Sequence, residues 1–231
     1  MLLPSGTPLL NLVFAESALE LVPDEIRKLP AVVSDSKRRL KEASEILLDR
    51  SFHHSAMSRL KNSEKRGRPD LVHIALLSVT GTPLYLDGEA KVFVHTYDDT
   101  VLEFAEKTRI PKNYLRFRGL MEEALAERPK QGLILVHSMT LRDLVKKISA
   151  TAVFGLSVQG KPVPVKELAQ MITASRNPSI VIGGFPHGHF SSETLSVLER
   201  LVRIHARSLE AHVVASRVVY EVEKVRDGLN D

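Results

Sequence analysis

From residue 133 onward, short apolar runs alternate with amphipathic stretches, and this alternation restricts the fold of the 231-residue chain more than any other feature. Leu133 to His137 reads as a strand. Thr140 to Ile148 reads as a helix opened by a Thr-x-x-Asp capping pattern, Ala152 to Val158 as a strand, Val165 to Thr173 as a helix and Ser179 to Ile182 as a strand. Strand-helix units with compact connections favour an α/β fold, a mostly parallel sheet with helices on both faces. The chain opens in the same style, with a strand over Leu9 to Phe14 and helical composition in AESALELV up to Pro23. The last helix spans Leu209 to about Lys224. Its Val213, Val214, Val218, Val219 and Val222 exceed one apolar stripe, which predicts burial against another chain as well as its own.

Between these ends the pattern is less regular. SDSKRRLKEASEILLD, from Ser34, places Leu40, Ala43, Ile46 and Leu47 at helical spacing. Its Lys37, Arg38, Arg39 and Lys41 alternate with Glu42, Glu45 and Asp49, as on a solvated face. Asp70 to Val79 reads as a helix. KVFVHT and TVLEF then read as a hairpin turning at Tyr97, Asp98 and Asp99. This pair interrupts the alternation, so it is expected as an insertion, at about 82–110, carried on the sheet of one domain over 1–231.

No cysteine is present, which removes disulfides, thiolate nucleophiles and cysteine-based zinc sites. His53 and His54 are adjacent, and adjacent helical positions point about 100° apart, a poor arrangement for a shared metal. No metal site is expected. The first residues lack a basic n-region, Glu16 interrupts their apolar run, and no stretch reaches the roughly 18 apolar residues of a membrane span. A soluble, cytoplasmic chain is expected.

The net charge is only +4, so a polyanion site would have to be a local cluster. Two clusters meet that condition. Lys61, Lys65, Arg66 and Arg68 crowd together, and Lys107, Arg109, Lys112, Arg116 and Arg118 fall in a stretch without an acid. Cationic clusters bind phosphate backbones strongly because neutralised phosphates release counterions. With Pro111 in the first turn of a helix, Lys112 and Arg116 share a face that Arg109 enters from the preceding loop. Phe117, Leu120, Met121, Ala124 and Leu125 mark the opposite, buried stripe.

The strand SIVIGG runs directly into FPHGHF. Gly183, Gly184 and Gly188 do not have the dinucleotide-binding spacing, and His189 and Phe190 stand where a phosphate-binding loop needs lysine and a hydroxyl. A third possibility is a loop whose backbone approaches a ligand closely, which glycine permits.

RPDLVH, the TPL after it, VHTYDD and RIPKNYLRFRGLM together resemble the Nep/Emg ribosome-biogenesis methyltransferases of the SPOUT, or α/β-knot, superfamily. The resemblance runs from about Leu10 to about Val222. It implies a C-terminal trefoil knot and S-adenosylmethionine-dependent methylation of N1 of a pseudouridine in small-subunit ribosomal RNA. In that family the cofactor is held by three loops, which correspond here to Leu156, to Gly183 and Gly188, and to Ile204, His205, Ala206, Arg207, Ser208 and Leu209. The resemblance assigns RNA contact to Arg68, Arg109, Lys112 and Arg116, and to Asp70 the positioning of Arg68. It also implies that the insertion helps form the RNA surface. A homodimer through the knot and last helix, and ribosomal assembly proteins, are the further partners it implies. No residue is assigned as the proton acceptor. A non-catalytic RNA-binding assembly factor, or an enzyme of this superfamily with another RNA target, would carry the same basic clusters.

Overall fold

The computed structural model describes residues 9–126 and 132–229. In chain order its elements are β1 (Leu10–Ser17), α1 (Pro30–Arg39), α2 (Arg50–Met57), α3 (Pro69–Thr80), α4 (Pro83–Leu86), β2 (Ala90–Thr96), β3 (Thr100–Phe104), α5 (Tyr114–Leu125), β4 (Ile134–Ser138), α6 (Leu141–Lys147), β5 (Ala152–Pro162), α7 (Val165–Ala174), β6 (Pro178–Gly183), α8 (Ser192–Leu195), β7 (Arg200–Arg203) and α9 (Ala211–Arg226). The strands form one sheet in the order β4-β3-β2-β1-β6-β5-β7. β2, β1, β6, β5 and β7 run parallel to one another, while β3 pairs antiparallel with both β2 and the edge strand β4. The hairpin is therefore the continuation of the main sheet, and β4 caps its far side.

Helices cover both faces, as the alternation requires. One face packs against α3, α5, α7 and α9 around Leu12, Phe14, Leu76, Phe117, Ile172 and Val219. The other is covered by α6 and the segment after β6, through Leu141, Leu144, Phe185 and Phe190. A smaller cluster around Val22, Ile26, Val32 and Met57 joins α1 to α2.

Two N-terminal expectations are corrected. AESALELV is not a helix: Ala15, Glu16 and Ser17 continue β1, and Leu21 forms an isolated bridge with Leu47. β1 has a neighbour on both edges, and the two ladders outweigh the weak helix preference of these residues. The helix expected from Ser34 starts earlier, at Pro30, and stops at Leu40, whose φ of 52° is left-handed. Leu40 is 93% exposed, whereas Ile46 and Leu47 are buried on extended backbone, so their helical spacing does not define a face.

The solvated-face reading of that stretch also fails in part. Glu122 of α5 is buried; its carboxylate accepts from Arg39 Nη2 at 2.5 Å, from Lys41 Nζ at 2.7 Å and from the Leu47 amide at 3.0 Å. These charges therefore fasten the α1 region to α5. Removing one partner would leave a buried charge uncompensated.

The valines of α9 are explained within the chain. Val214, Val218, Val219 and Val222 are buried where α9 packs on α7 and α3, and Val213 is half-buried. Full burial of a valine is worth about 1.5 kcal/mol or more. A second chain is not needed to cover them.

Candidate functional site

β5 pairs with β7 twice. Val202 is matched with Leu156 and again with Lys161, and the amide of Val163 donates to the Arg203 carbonyl. A strand residue takes one neighbour on each edge. Residues 157–160 thus cross over Val202 from one edge of β7 to the other. The crossing is close: a Cβ at Gly160 would lie 2.4 Å from the Val202 carbonyl carbon and 2.6 Å from its nitrogen. Beneath this turn the chain leaves β7 for α9, the threading that makes the α/β knot.

Parallel strands end on the same side, so the loops after β5, β6 and β7 converge there. They enclose a cavity of about 540 Å³ lined by Leu156, Gly183, Gly188, Ile204, His205, Arg207, Ser208 and Leu209. Of the residues assigned to the cofactor by resemblance, Ala206 alone is missing from the lining. The wall also contains Arg68 and Leu71 from the start of α3, and Glu210 and His212 from the start of α9. A volume of this size suits a small-molecule ligand. The loop after β6 has Gly188 at a φ of +96°, open to glycine and strained for other residues. Gly184 lies against β1, where a Cβ would come 2.1 Å from Ser17 Oγ. Its amide donates to the Ala15 carbonyl at 2.8 Å, and its carbonyl accepts from the Ala18 amide at 2.9 Å.

Arg68 immediately precedes α3, with Pro69 at the first helical position. Its Nε and Nη2 both donate to the Asp70 carboxylate, each at 2.8 Å. Burial acts to raise the Asp70 pKa, but the two Arg68 hydrogen bonds and charge outweigh it and hold the carboxyl below its ordinary range. The pairing likewise raises the Arg68 guanidinium pKa.

The rest of that first basic cluster is occupied internally. Arg66 is buried and donates twice to Glu20, at 2.8 and 2.6 Å, and Lys65 donates to Glu16 at 2.7 Å. Only Lys61 and Arg68 are left to face outward partners. No sequence signal separated these, because their ion partners lie more than forty residues away.

The second cluster, apart from the half-buried Arg118, is solvent-facing, with a local correction. α5 begins at Tyr114, with the Asn113 side chain accepting from the Arg116 amide, so Pro111 and Lys112 lie before the helix. Arg109, Lys112 and Arg116 are nevertheless all exposed, and Phe117, Met121 and Ala124 are buried as expected. The two segments are fastened together. His73 of α3 donates from Nε2 to the Pro111 carbonyl at 2.6 Å and stacks on Phe117, and the Tyr114 hydroxyl donates to Asp49 at 2.6 Å. The Arg50 amide next to Asp49 in turn donates to the carbonyl of Gly67, the neighbour of Arg68.

Residues 12–223 match the family model described as EMG1/NEP1 methyltransferase. The chain is 40% identical over 219 residues to the ribosomal RNA small subunit methyltransferase Nep1 of Staphylothermus marinus, covering 93% of this chain and 95% of that protein. It is 38% identical over 219 residues to the protein of the same description from Thermococcus sibiricus, covering 93% and 98%. A solved structure, Archaeoglobus fulgidus Nep1 bound to S-adenosylhomocysteine, superposes with a TM-score of 0.84 at 39% identity, over 94% of this chain and 98% of that one.

Proposed function

The chain belongs to the EMG1/NEP1 methyltransferase family, and from that premise we propose that it is an S-adenosylmethionine-dependent methyltransferase of small-subunit ribosomal RNA, acting on N1 of a pseudouridine. The observation that carries this reading is one cavity lined by both Arg68 and the three converging loops. The donor pocket and an RNA-facing cation thus share a wall.

The residues fit the cofactor. Leu156, Ile204 and Leu209 supply apolar wall, and the backbone around Gly183 and Gly188 supplies amides and carbonyls at close approach. Ala206 enters only through the chain that carries it. S-adenosylmethionine, when bound, supplies an activated methyl group to an in-line acceptor. The protein's share is then to hold that acceptor in a near-attack geometry. Arg68, locked by Asp70, presents a fixed cation at the cavity rim, and Arg109, Lys112 and Arg116 extend the charge along the surface. Lys112 offers a point charge for phosphate where an arginine would offer a fork. Residues 82–110 contribute to this surface by delivering Arg109. The target nucleotide enters the cavity unstacked.

The protein works in the cytoplasm in ribosome biogenesis, alongside ribosomal assembly proteins, and as a homodimer through the knot and α9. Among the described residues no helix is long and apolar enough to cross a membrane. With the valines of α9 buried internally, the dimer contact would use its outward residues, of which Tyr220 is 60% exposed. Sedimentation at micromolar concentration tests this; a monomer removes the dimer.

Methyl incorporation into RNA hairpins containing either pseudouridine or uridine at the target tests the activity. Incorporation into the pseudouridine hairpin alone is expected. Incorporation into uridine would indicate another RNA target, and none into either would indicate an RNA-binding assembly factor.

A further inference from the structure

The VHTYDD stretch has no part in the site as described, yet its side chains begin a continuous line of contacts that ends on the loop after β6. Asp99, in the turn between β2 and β3, accepts from His95 Nε2 at 2.9 Å. With that nitrogen protonated, the buried ring keeps Nδ1 as an acceptor, which takes the backbone N–H of Glu16 at 3.2 Å. Glu16 has a φ of 50°, a left-handed conformation that a side chain of this size adopts only when its surroundings hold it.

That conformation aims the Glu16 carboxylate at the loop. One oxygen accepts from the Ser191 amide at 2.7 Å and the other from Lys65 Nζ at 2.7 Å. Lys65 also donates to the His189 carbonyl and lies 4.4 Å over the Phe185 ring. Its Cε is 3.1 Å from where a Cβ on Gly188 would be. Residues 185, 189 and 191 are thereby all contacted by one largely buried ion pair, which also lies beside Gly188. A loop that binds through its backbone gains from such support, because its amides must be aligned before the ligand arrives.

We propose that Asp99, His95, Glu16 and Lys65 form a positioning strut that fixes the 185–191 loop in the conformation that receives S-adenosylmethionine, Glu16 and Lys65 being the residues that bear on the loop. The proposal rests on the reading of that loop as a cofactor wall. None of the four is a catalytic residue; Asp99 and His95 act through Glu16, and Glu16 and Lys65 act through the loop. Because the contacts are in series, loss at either end should release the same loop, and losses at both ends should not add.

Lys65→Met keeps the stem and removes the charge, Asp99→Ala removes the far anchor, and the double variant tests the series. Hydrogen exchange of the free proteins should show faster exchange in 185–191 and unchanged exchange in α9, which also certifies folding. Calorimetry with S-adenosylmethionine should show affinity weakened about five- to tenfold in each single variant and no further in the double. Lys65→Arg should recover most of it, and RNA affinity should stay within about twofold. Unaltered loop exchange in both single variants, or additive losses in the double, would overturn the strut. If the wild-type chain binds no S-adenosylmethionine, the cofactor reading falls, and loop exchange alone still decides whether the strut exists.

Discussion

Arg68 and Asp70 face each other across one helical turn start, joined by two 2.8 Å hydrogen bonds at the rim of the cavity. The two bonds fix the guanidinium in direction, and among the described residues its Nη1 makes no hydrogen bond, as the proposed phosphate contact needs. Both side chains are about a third or more exposed, so the pair contributes little to stability. Asp70→Ala should leave thermal stability nearly unchanged and weaken RNA binding by roughly fivefold, with S-adenosylmethionine affinity intact. Filter binding and calorimetry on one preparation check it; parallel loss of both ligands would count against a positioning role.

Arg116 is exposed on the first turn of α5, away from the cavity lining. Arg116→Ala should weaken RNA binding across sequences and reduce the slope of log affinity against log salt by about 1. A titration at four or five salt concentrations reads the slope. An unchanged slope would remove Arg116 from the RNA surface.

Gly188 has a φ of +96°. Valine there is strained by on the order of 1–3 kcal/mol and presses on Lys65 Cε. Gly188→Val should abolish measurable S-adenosylmethionine binding while RNA binding persists. Calorimetry showing wild-type affinity would separate this loop from the cofactor.

Gly160 crosses the backbone of Val202 with no space for a Cβ. Gly160→Ala should destabilise the chain by about 2 kcal/mol or more, since the obstacle is main chain and cannot rotate away. Denaturant unfolding measures it. A neutral result would mean that the crossing is looser than described.

Burial acts to raise the Glu16 pKa, but the Lys65 contact and the Ser191 amide outweigh it and lower the pKa from its ordinary 4.5. A depressed carboxyl contributes stability that is present above 4.5 and lost as pH falls through the folded value. Wild-type stability should therefore drop more steeply below that pH than in Glu16→Gln, which has no charge to titrate. Chemical unfolding at a series of pH values distinguishes the two; identical slopes would show that Glu16 is not held ionised.

Much of the fold was legible because its signals are local. The strands and helices after residue 133 follow the apolar period, Thr140 caps α6 through the Asp143 amide as its spacing indicated, and the hairpin turns at Tyr97 to Asp99. The errors fell where distant pairing decided. AESALELV became strand because β1 is paired on both edges, and the Leu40 to Leu47 spacing ended at a left-handed residue. Pro111 lies one turn too early because Asn113 provides the cap.

The candidate site divides in the same way. The glycine-rich loop after β6 is visible within one segment of the sequence, whereas the cofactor role of Gly183 and Gly188 and the pairing of Arg68 with Asp70 come from the family resemblance of their motifs. Lys65 and Arg66 looked identical to Arg68 in the sequence, and only the positions of Glu16 and Glu20 show that they are internal. The sequence by itself determined which backbone period each segment follows, and hence a parallel α/β sheet with a cationic surface. Tertiary structure alone decided which cations remain free, which loops share a cavity, and that β7 is threaded beneath residues 157–160. Ion pairing and threading join residues far apart along the chain, and a contact between distant residues imposes no periodicity on either of them.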